Sequence, residues 1–278
     1  MPVQRISLFC NVLLLLAMLV SPVSVYAAEK TEADADLPLP FEEIVCEGSY
    51  PRHLQGVCYD SKGNIYWCFT TTLVKTNSKG HVLQQIPVAN HHGDLCHVDG
   101  KLFVAVNLGK FNQPEGQADS WVYEYDAESL RELAKHPTPE AIHGAGGIDY
   151  HKGRFIVVGG LPDSVQENYL FEYGVDWKFL ARHVLPSGQT HLGIQTATFH
   201  DGMWWFGCYG KPEVLLKASS ALEYQGQHQT SCSLGLIGLA PGRFLVARGR
   251  TDIDKKMKGA KLVPAVSTRE GDLKWAHK

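Results

Sequence analysis

The 278-residue chain lacks most of the signatures that name an activity on sight. There is no CxxC or CxxCH, which excludes a thioredoxin-like redox motif and c-type haem attachment. GxSxG, Walker A, HExxH, an EF-hand loop and a dinucleotide fingerprint are all missing, so serine-hydrolase, kinase and zincin readings have no support. A basic excess is missing too: 26 Lys and Arg stand against 29 Asp and Glu, a formal net charge of −3. A nucleic-acid partner would call for a basic face. Long helical periods are absent, and after the N-terminal region no apolar run is long enough to span a bilayer. The glycine-rich HGAGG from His143 leads into a strand rather than a helix, so it does not read as a phosphate cradle.

What is present begins with an export pattern. Arg5 precedes an apolar run that ends near Val20, and Val25-Tyr26-Ala27 places small residues at −3 and −1 of a cleavage site. This reads as a secretory signal peptide over 1–27, with a retained N-terminal anchor as the alternative. A polar linker over 28–40 and a single domain over 41–278 follow, in a periplasmic or extracellular protein. Six cysteines remain after the signal: Cys46, Cys58, Cys68, Cys96, Cys208 and Cys232. They allow about fifteen pairings, and sequence chooses none. Cys58, Cys68 and Cys96 sit in apolar strands, where a free thiol packs as a small hydrophobe.

One unit recurs through the domain: an opening loop, a short strand, a tight turn and a strongly apolar second strand. The copies are HLQGVCYDSKGNIYWCFT from His53, NHHGDLCHVDGKLFVAVN from Asn90 and HGAGGIDYHKGRFIVVGG from His143. HLGIQTATFHDGMWWFGCYG from His191 and CSLGLIGLAPGRFLVARG from Cys232 complete the set. Their turn glycines are Gly63, Gly100, Gly153, Gly202 and Gly242. Further strand-like runs follow, such as LVKTN then HVLQQIPV. Short strands rich in Val, Ile, Tyr, Phe and Trp between turn residues indicate antiparallel β structure. A four-stranded unit repeated every 40 to 50 residues indicates an all-β propeller of five blades, with six as the alternative. The run FEEIVCEG from Phe41 would add a strand to the last blade and close the ring.

The repeated units of G-x-x-x-D-x-x-G-x-x-aromatic type, clearest over Gly56–Tyr66 and, one residue shorter, Gly146–Phe155, resemble exported bacterial propellers of the NHL and gluconolactonase-like kind. The resemblance implies the fold. The carboxylate and amide metal set of gluconolactonase-like enzymes has no clear counterpart here, so their activity is not carried over.

In a blade, the loop entering strand one and the loop leaving strand two share a face. The turns between those strands (SKG, VDG, HKG, HDG, APG) are minimal, whereas the loops after strand two are long and polar, NLGKFNQPEGQADS above all. Function is expected on that elaborated face. Its opening loops hold His53, His91, His92, His143 and His191, about five histidines where chance predicts about one. One imidazole per blade resembles the metal centres of carotenoid oxygenases and oligogalacturonate lyases in arrangement alone. The expected metal ligands are His53, His92, His143 and His191, around a divalent Zn, Mn or Fe. Of the adjacent His91 and His92 only one is expected to face inward. Asp94, His91 and Arg248 are the catalytic candidates, and Asn107, Lys110, Asp163, Tyr209, Lys211 and Arg250 the ligand-binding ones. Arg248 and Arg250 alternate along a strand, so one of the two should face the channel. His97, His151 and His200 fall by the opposite turns and are expected to be solvated. Of Trp204 and Trp205, one is expected in the packing and one at an exposed edge.

The expectation is an exported propeller acting on a carbohydrate or related polar small molecule, as a metal-dependent lyase or hydrolase. The alternative is a non-catalytic module gripping a glycan or protein partner through the same face.

Overall fold

The computed structural model describes residue 1, residues 37–251 and residues 257–276. The signal-peptide reading, most of the linker and residues 252–256 of the last long loop lie outside the described residues. Among the described residues there is no helix, and none therefore long and apolar enough to cross a membrane.

Two short strands, β1 (Ile44–Val45) and β2 (Tyr50–Pro51), come first. Blade 1 is β3 (Leu54–Tyr59), β4 (Ile65–Phe69), β5 (Thr72–Thr76) and β6 (Val82–Pro87). Blade 2 is β7 (His92–Val98), β8 (Lys101–Asn107), β9 (Ser120–Asp126) and β10 (Glu132–Pro137). Blade 3 is β11 (Ala145–His151), β12 (Arg154–Gly159), β13 (Asn168–Gly174) and β14 (Phe179–Leu185). Blade 4 is β15 (His191–His200), β16 (Met203–Tyr209), β17 (Val214–Ser219) and β18 (Tyr224–His228). Blade 5 contains β19 (Leu236–Ala240), β20 (Arg243–Thr251), β21 (Met257–Ser267) and the short β22 (Leu273–Trp275).

Each blade is an antiparallel sheet of neighbouring strands, and together they make the five-bladed propeller expected from the repeat. The burial pattern follows from that stacking. The second strand of a blade lies between two neighbouring sheets, so β4 is buried at every position, whereas the rim strand β6 alternates half-buried and exposed. All five turn glycines between first and second strands have φ between +70° and +82°, a backbone region that penalises any residue with a Cβ.

Blade 5 is completed by the start of the domain. β1 pairs antiparallel with β21, Ile44 opposite Leu262, so FEEIVCEG supplies the fourth strand as its pattern suggests. Cys46 N–H extends the ladder to the Ala260 carbonyl at 3.0 Å.

The core is five apolar seams between blades rather than one centre. Trp204 belongs to the blade 3–4 seam with Ile156 and Leu170, and Trp205 to the blade 4–5 seam with Phe244 and Val246. Both indoles are buried, which corrects the expectation of one exposed edge: β16 has a sheet on each side, so alternation sends its two tryptophans into two different seams. Cys46, Cys58, Cys68, Cys96, Cys208 and Cys232 are free thiols, all but Cys58 buried.

Candidate site at the channel mouth

The inner strands β3, β7, β11, β15 and β19 surround the axis. Their beginnings lie beside the ends of the second strands: Thr70 N–H donates to His53 O and Asn107 N–H to His91 O, each at 3.2 Å. The histidine-bearing loops and the long loops therefore share one face, here called the upper face.

At this face the pairing of first and second strands slips. The register shifts between Leu54 and Gly56, between His92 and Leu95, between Ala145 and Gly147, and between His191 and Ile194. Such bulges interrupt the in–out alternation of side chains. The adjacent histidines of blade 2 show the effect. His92 is fully buried within its blade: Nδ1 donates to Ala89 O at 2.6 Å, and Nε2 accepts from the Tyr125 hydroxyl at 2.8 Å. Burial pulls its pKa down to about 4, so the ring is neutral. Both nitrogens of His92, one of the four expected metal ligands, are thus engaged within the blade.

His91 instead meets the channel. Its Nε2 lies 2.9 Å from the Gln55 amide nitrogen, which also donates to Thr70 Oγ1 at 3.1 Å. The Thr70 hydroxyl in turn donates to His53 O at 3.3 Å. With the amide nitrogen as donor to both, His91 Nε2 is an acceptor and the ring proton sits on Nδ1. That Nδ1 is buried and, among the described residues, has no hydrogen-bond partner. Desolvation, then the nearby His53, lowers the pKa of His91, so the imidazole is neutral at pH 7. Phe111 is partly stacked beside it, 6.1 Å between ring centres.

The other expected residues divide clearly. His53 is exposed at the same mouth, close enough to act on His91. His143 is buried, with Nδ1 bonded to Gln113 O at 2.9 Å and its ring stacked at 6.2 Å on Tyr169. His191 is exposed at the start of β15 opposite Tyr209, itself half-buried. Among the described residues, no three or more His, Cys, Asp or Glu side chains are arranged to hold a metal ion.

Asn107 is buried and shapes the long loop: its amide donates to Gly109 O at 3.1 Å and its oxygen accepts from Asp119 N–H at 2.9 Å. Lys110, Asp163 and Lys211 are exposed on the loops that follow second strands. Arg248 lies over the Trp275 ring at 4.5 Å and 3.9 Å from Glu213, lining a groove at the blade 4–5 seam. Arg250 lies opposite Gly259 in the β20–β21 ladder.

Asp94, a catalytic candidate from the sequence, is bonded by backbone N–H groups. It is buried at the channel axis, where Ala197 N–H donates to Oδ2 at 3.0 Å and the backbone of Leu95 and Val57 also bonds the carboxylate. No Cβ would fit on Gly56 beside it. Burial raises its pKa well above the usual carboxylate range. Gln55 and Phe111 were not singled out in the sequence, though a glutamine inside an apolar inner strand was a visible signal.

At the lower end the channel widens into a cavity of about 210 Å³ reached by all five inner strands. Asp149, also missed, faces it. Phe199 N–H donates to Asp149 Oδ2 at 2.5 Å, and the surrounding protein raises its pKa to about 7 by desolvation. His97 and His200 line the same cavity, and His151 stacks on Phe199 at 3.5 Å between ring centres. These three histidines are half-buried and engaged rather than freely solvated, because the inner-strand ends curve around a real opening.

No family model matches the chain, and no curated protein matches it either. Solved structures do. Glutaminyl cyclase of Myxococcus xanthus is similar with a TM-score of 0.55 and 13% identity, covering 82% of this chain and 99% of that one. A protein of unknown function from Bacteroides caccae is similar with a TM-score of 0.51 and 14% identity, covering 84% and 92%. The shared class is the β-propeller, and the resemblance to NHL and gluconolactonase-like proteins reaches no further than that fold.

Proposed function

We propose that the protein is an exported enzyme that binds a small, carbonyl-bearing polar substrate at the upper channel mouth. His91 is the group that polarises the carbonyl. The observation that carries this reading is the buried Nδ1–H of His91, a donor without a partner on a ring held neutral and fixed in tautomer by Gln55. An unmatched buried donor costs about 1–3 kcal/mol, and a ligand oxygen that accepts from it relieves the cost. Neutral imidazole donating to a developing oxyanion is an established catalytic use of histidine. Displacement of Phe111 and its loop admits the ligand.

The expected carbohydrate specificity is narrowed to chemistry: a carboxamide, lactone or ester oxygen suits the donor. The expected metal is not used in this reading, since His92 and His143 spend ring nitrogens within the fold. Because a fold neighbour is a glutaminyl cyclase, peptides with N-terminal glutamine are the first substrates to offer, followed by aldonolactones. The test is turnover of such a panel, with and without added divalent metal, by wild type and His91→Ala. A loss of roughly 10²–10³ in kcat for a turned-over substrate is expected, the size seen when one oxyanion donor is removed. An active substrate handled equally well by His91→Ala would overturn the assignment.

A further inference from the structure

The lower cavity lies at the other end of the channel from His91. We propose that it is a second ligand site, which takes a small protonated amine against the Asp149 carboxylate. The argument starts from which hydrogen-bonding capacity is already spent. The Tyr59 hydroxyl donates to Gly238 O at 3.2 Å, and the Thr198 hydroxyl donates to Leu236 O at 2.8 Å. His200 Nε2 donates to Ala240 O at 2.8 Å. Asp149 uses Oδ2 for Phe199 N–H and takes a second backbone bond from Tyr150, which leaves further lone pairs on the carboxylate. The hydroxyl donors of Tyr59 and Thr198 and the ring N–H of His200 are turned into the wall, away from an occupant.

The charge points the same way. Among the described residues no lysine or arginine lines the cavity, and none figures among the main influences on Asp149 or on Asp94 deeper in the channel. Asp94 and the thiols of Cys58 and Cys96 all feel the charge of Asp149. A buried negative charge without a counter-ion is unfavourable, and a ligand that brings N⁺–H donors supplies both what is missing and what the acceptors can receive. Because no three metal-binding side chains are arranged together among the described residues, a hydrogen-bonding ammonium fits better than a coordinated metal ion. A cavity of about 210 Å³ holds an amine of several heavy atoms, given that a water molecule takes about 30 Å³.

The titratable groups around Asp149 are Cys58 and Tyr59 on β3, Asp94, Cys96 and His97 on β7, and His200 on β15; β19 presents none.

The experiment is calorimetric titration with propylammonium at about pH 8, with propanol as the uncharged isostere. Propylammonium is expected to bind, propanol to bind far more weakly, and Asp149→Asn to weaken propylammonium roughly tenfold or more. The asparagine oxygen still accepts from Phe199 N–H, which favours folding of the variant. Equal binding of the two probes, unchanged affinity in Asp149→Asn, or no binding of propylammonium would each overturn the proposal. A pH series on wild type gives a check that needs no variant. Affinity should rise as pH climbs through about 7, where Asp149 ionises while the amine stays protonated; a flat profile would overturn it.

Discussion

The two ends of the channel are built from the same five strands, yet they use their length of chain in opposite ways. At the upper end the longest loop is drawn back onto the protein. Asn107 staples its base, Asn112 bonds the backbone of His143 and Leu161, and Phe111 fills the space over Gly144 and Gly146. At the lower end the hairpins are minimal, none of the described residues folds over the axis, and a cavity stays open around Asp149. Loop length is therefore a poor guide to accessible chemistry. A long loop has backbone groups of its own to satisfy, and the polar side chains that make it look functional are often the ones that do so.

The comparison breaks most completely if the seal between the two ends is lost. Gly56 touches Asp94 with no room for a Cβ, so Gly56→Val must push Asp94 from its backbone donors. Overpacking of this kind costs about 1–3 kcal/mol, and an unsatisfied buried carboxylate adds more. Thermal unfolding should show the largest loss of this set, and a midpoint equal to wild type would mean the axis is not packed as described.

A sharper cut separates the adjacent histidines. His92→Ala deletes a buried ring and strands the Tyr125 hydroxyl, at an expected cost of about 2–4 kcal/mol in denaturant unfolding. His91→Ala removes a ring whose Nδ1 already lacks a partner, and should cost under about 1 kcal/mol. Reversed magnitudes would mean that the two rings have exchanged places.

The smallest expected effect is a pH slope. Asp149 has a folded-state pKa of about 7, against about 3.9 in an unfolded chain. The folded protein then binds more protons at Asp149 between these values, so the stability this group contributes is highest at the acid side of the window and declines as pH rises through about 7. Asp94, raised in the same direction, adds to the slope. The lowered pKa values of His91 and His92 give a slope of opposite sign, so the test is the difference between two proteins: from about pH 5 to about pH 8, wild type should lose a few degrees of melting temperature relative to Asp149→Asn. A difference that does not change over the window would contradict the assignment.

The fold was readable because its most repetitive demand is local. Each hairpin needs a residue at positive φ, and glycine at 63, 100, 153, 202 and 242 marks all five in phase. The closing strand was readable for a similar reason, as an apolar run left over before the first copy. The site was less so. A bulge between His92 and Leu95 breaks the period of two on which any inward or outward assignment depends. From sequence, His91 and His92 are interchangeable; in the structure one lines the channel and the other is locked to Tyr125. Asp149 was overlooked because attention fell on loops, whereas a carboxylate within the apolar run GGIDY was itself the oddity.

The pairing of Ile44 with Leu262 has a consequence for how the molecule comes into being. Synthesis delivers Ile44 well before Leu262, so the nascent chain is an open arc in between. Four contiguous blades can zip up from near neighbours in sequence, but the last sheet waits for a contact across more than two hundred residues, the slowest kind to find. Until that latch engages, the outer edge of β21 and the facing apolar surface of blade 1 are exposed to whatever else is nearby. The first strand is thus a timing device as well as a wall, holding the circle incomplete until β21 arrives.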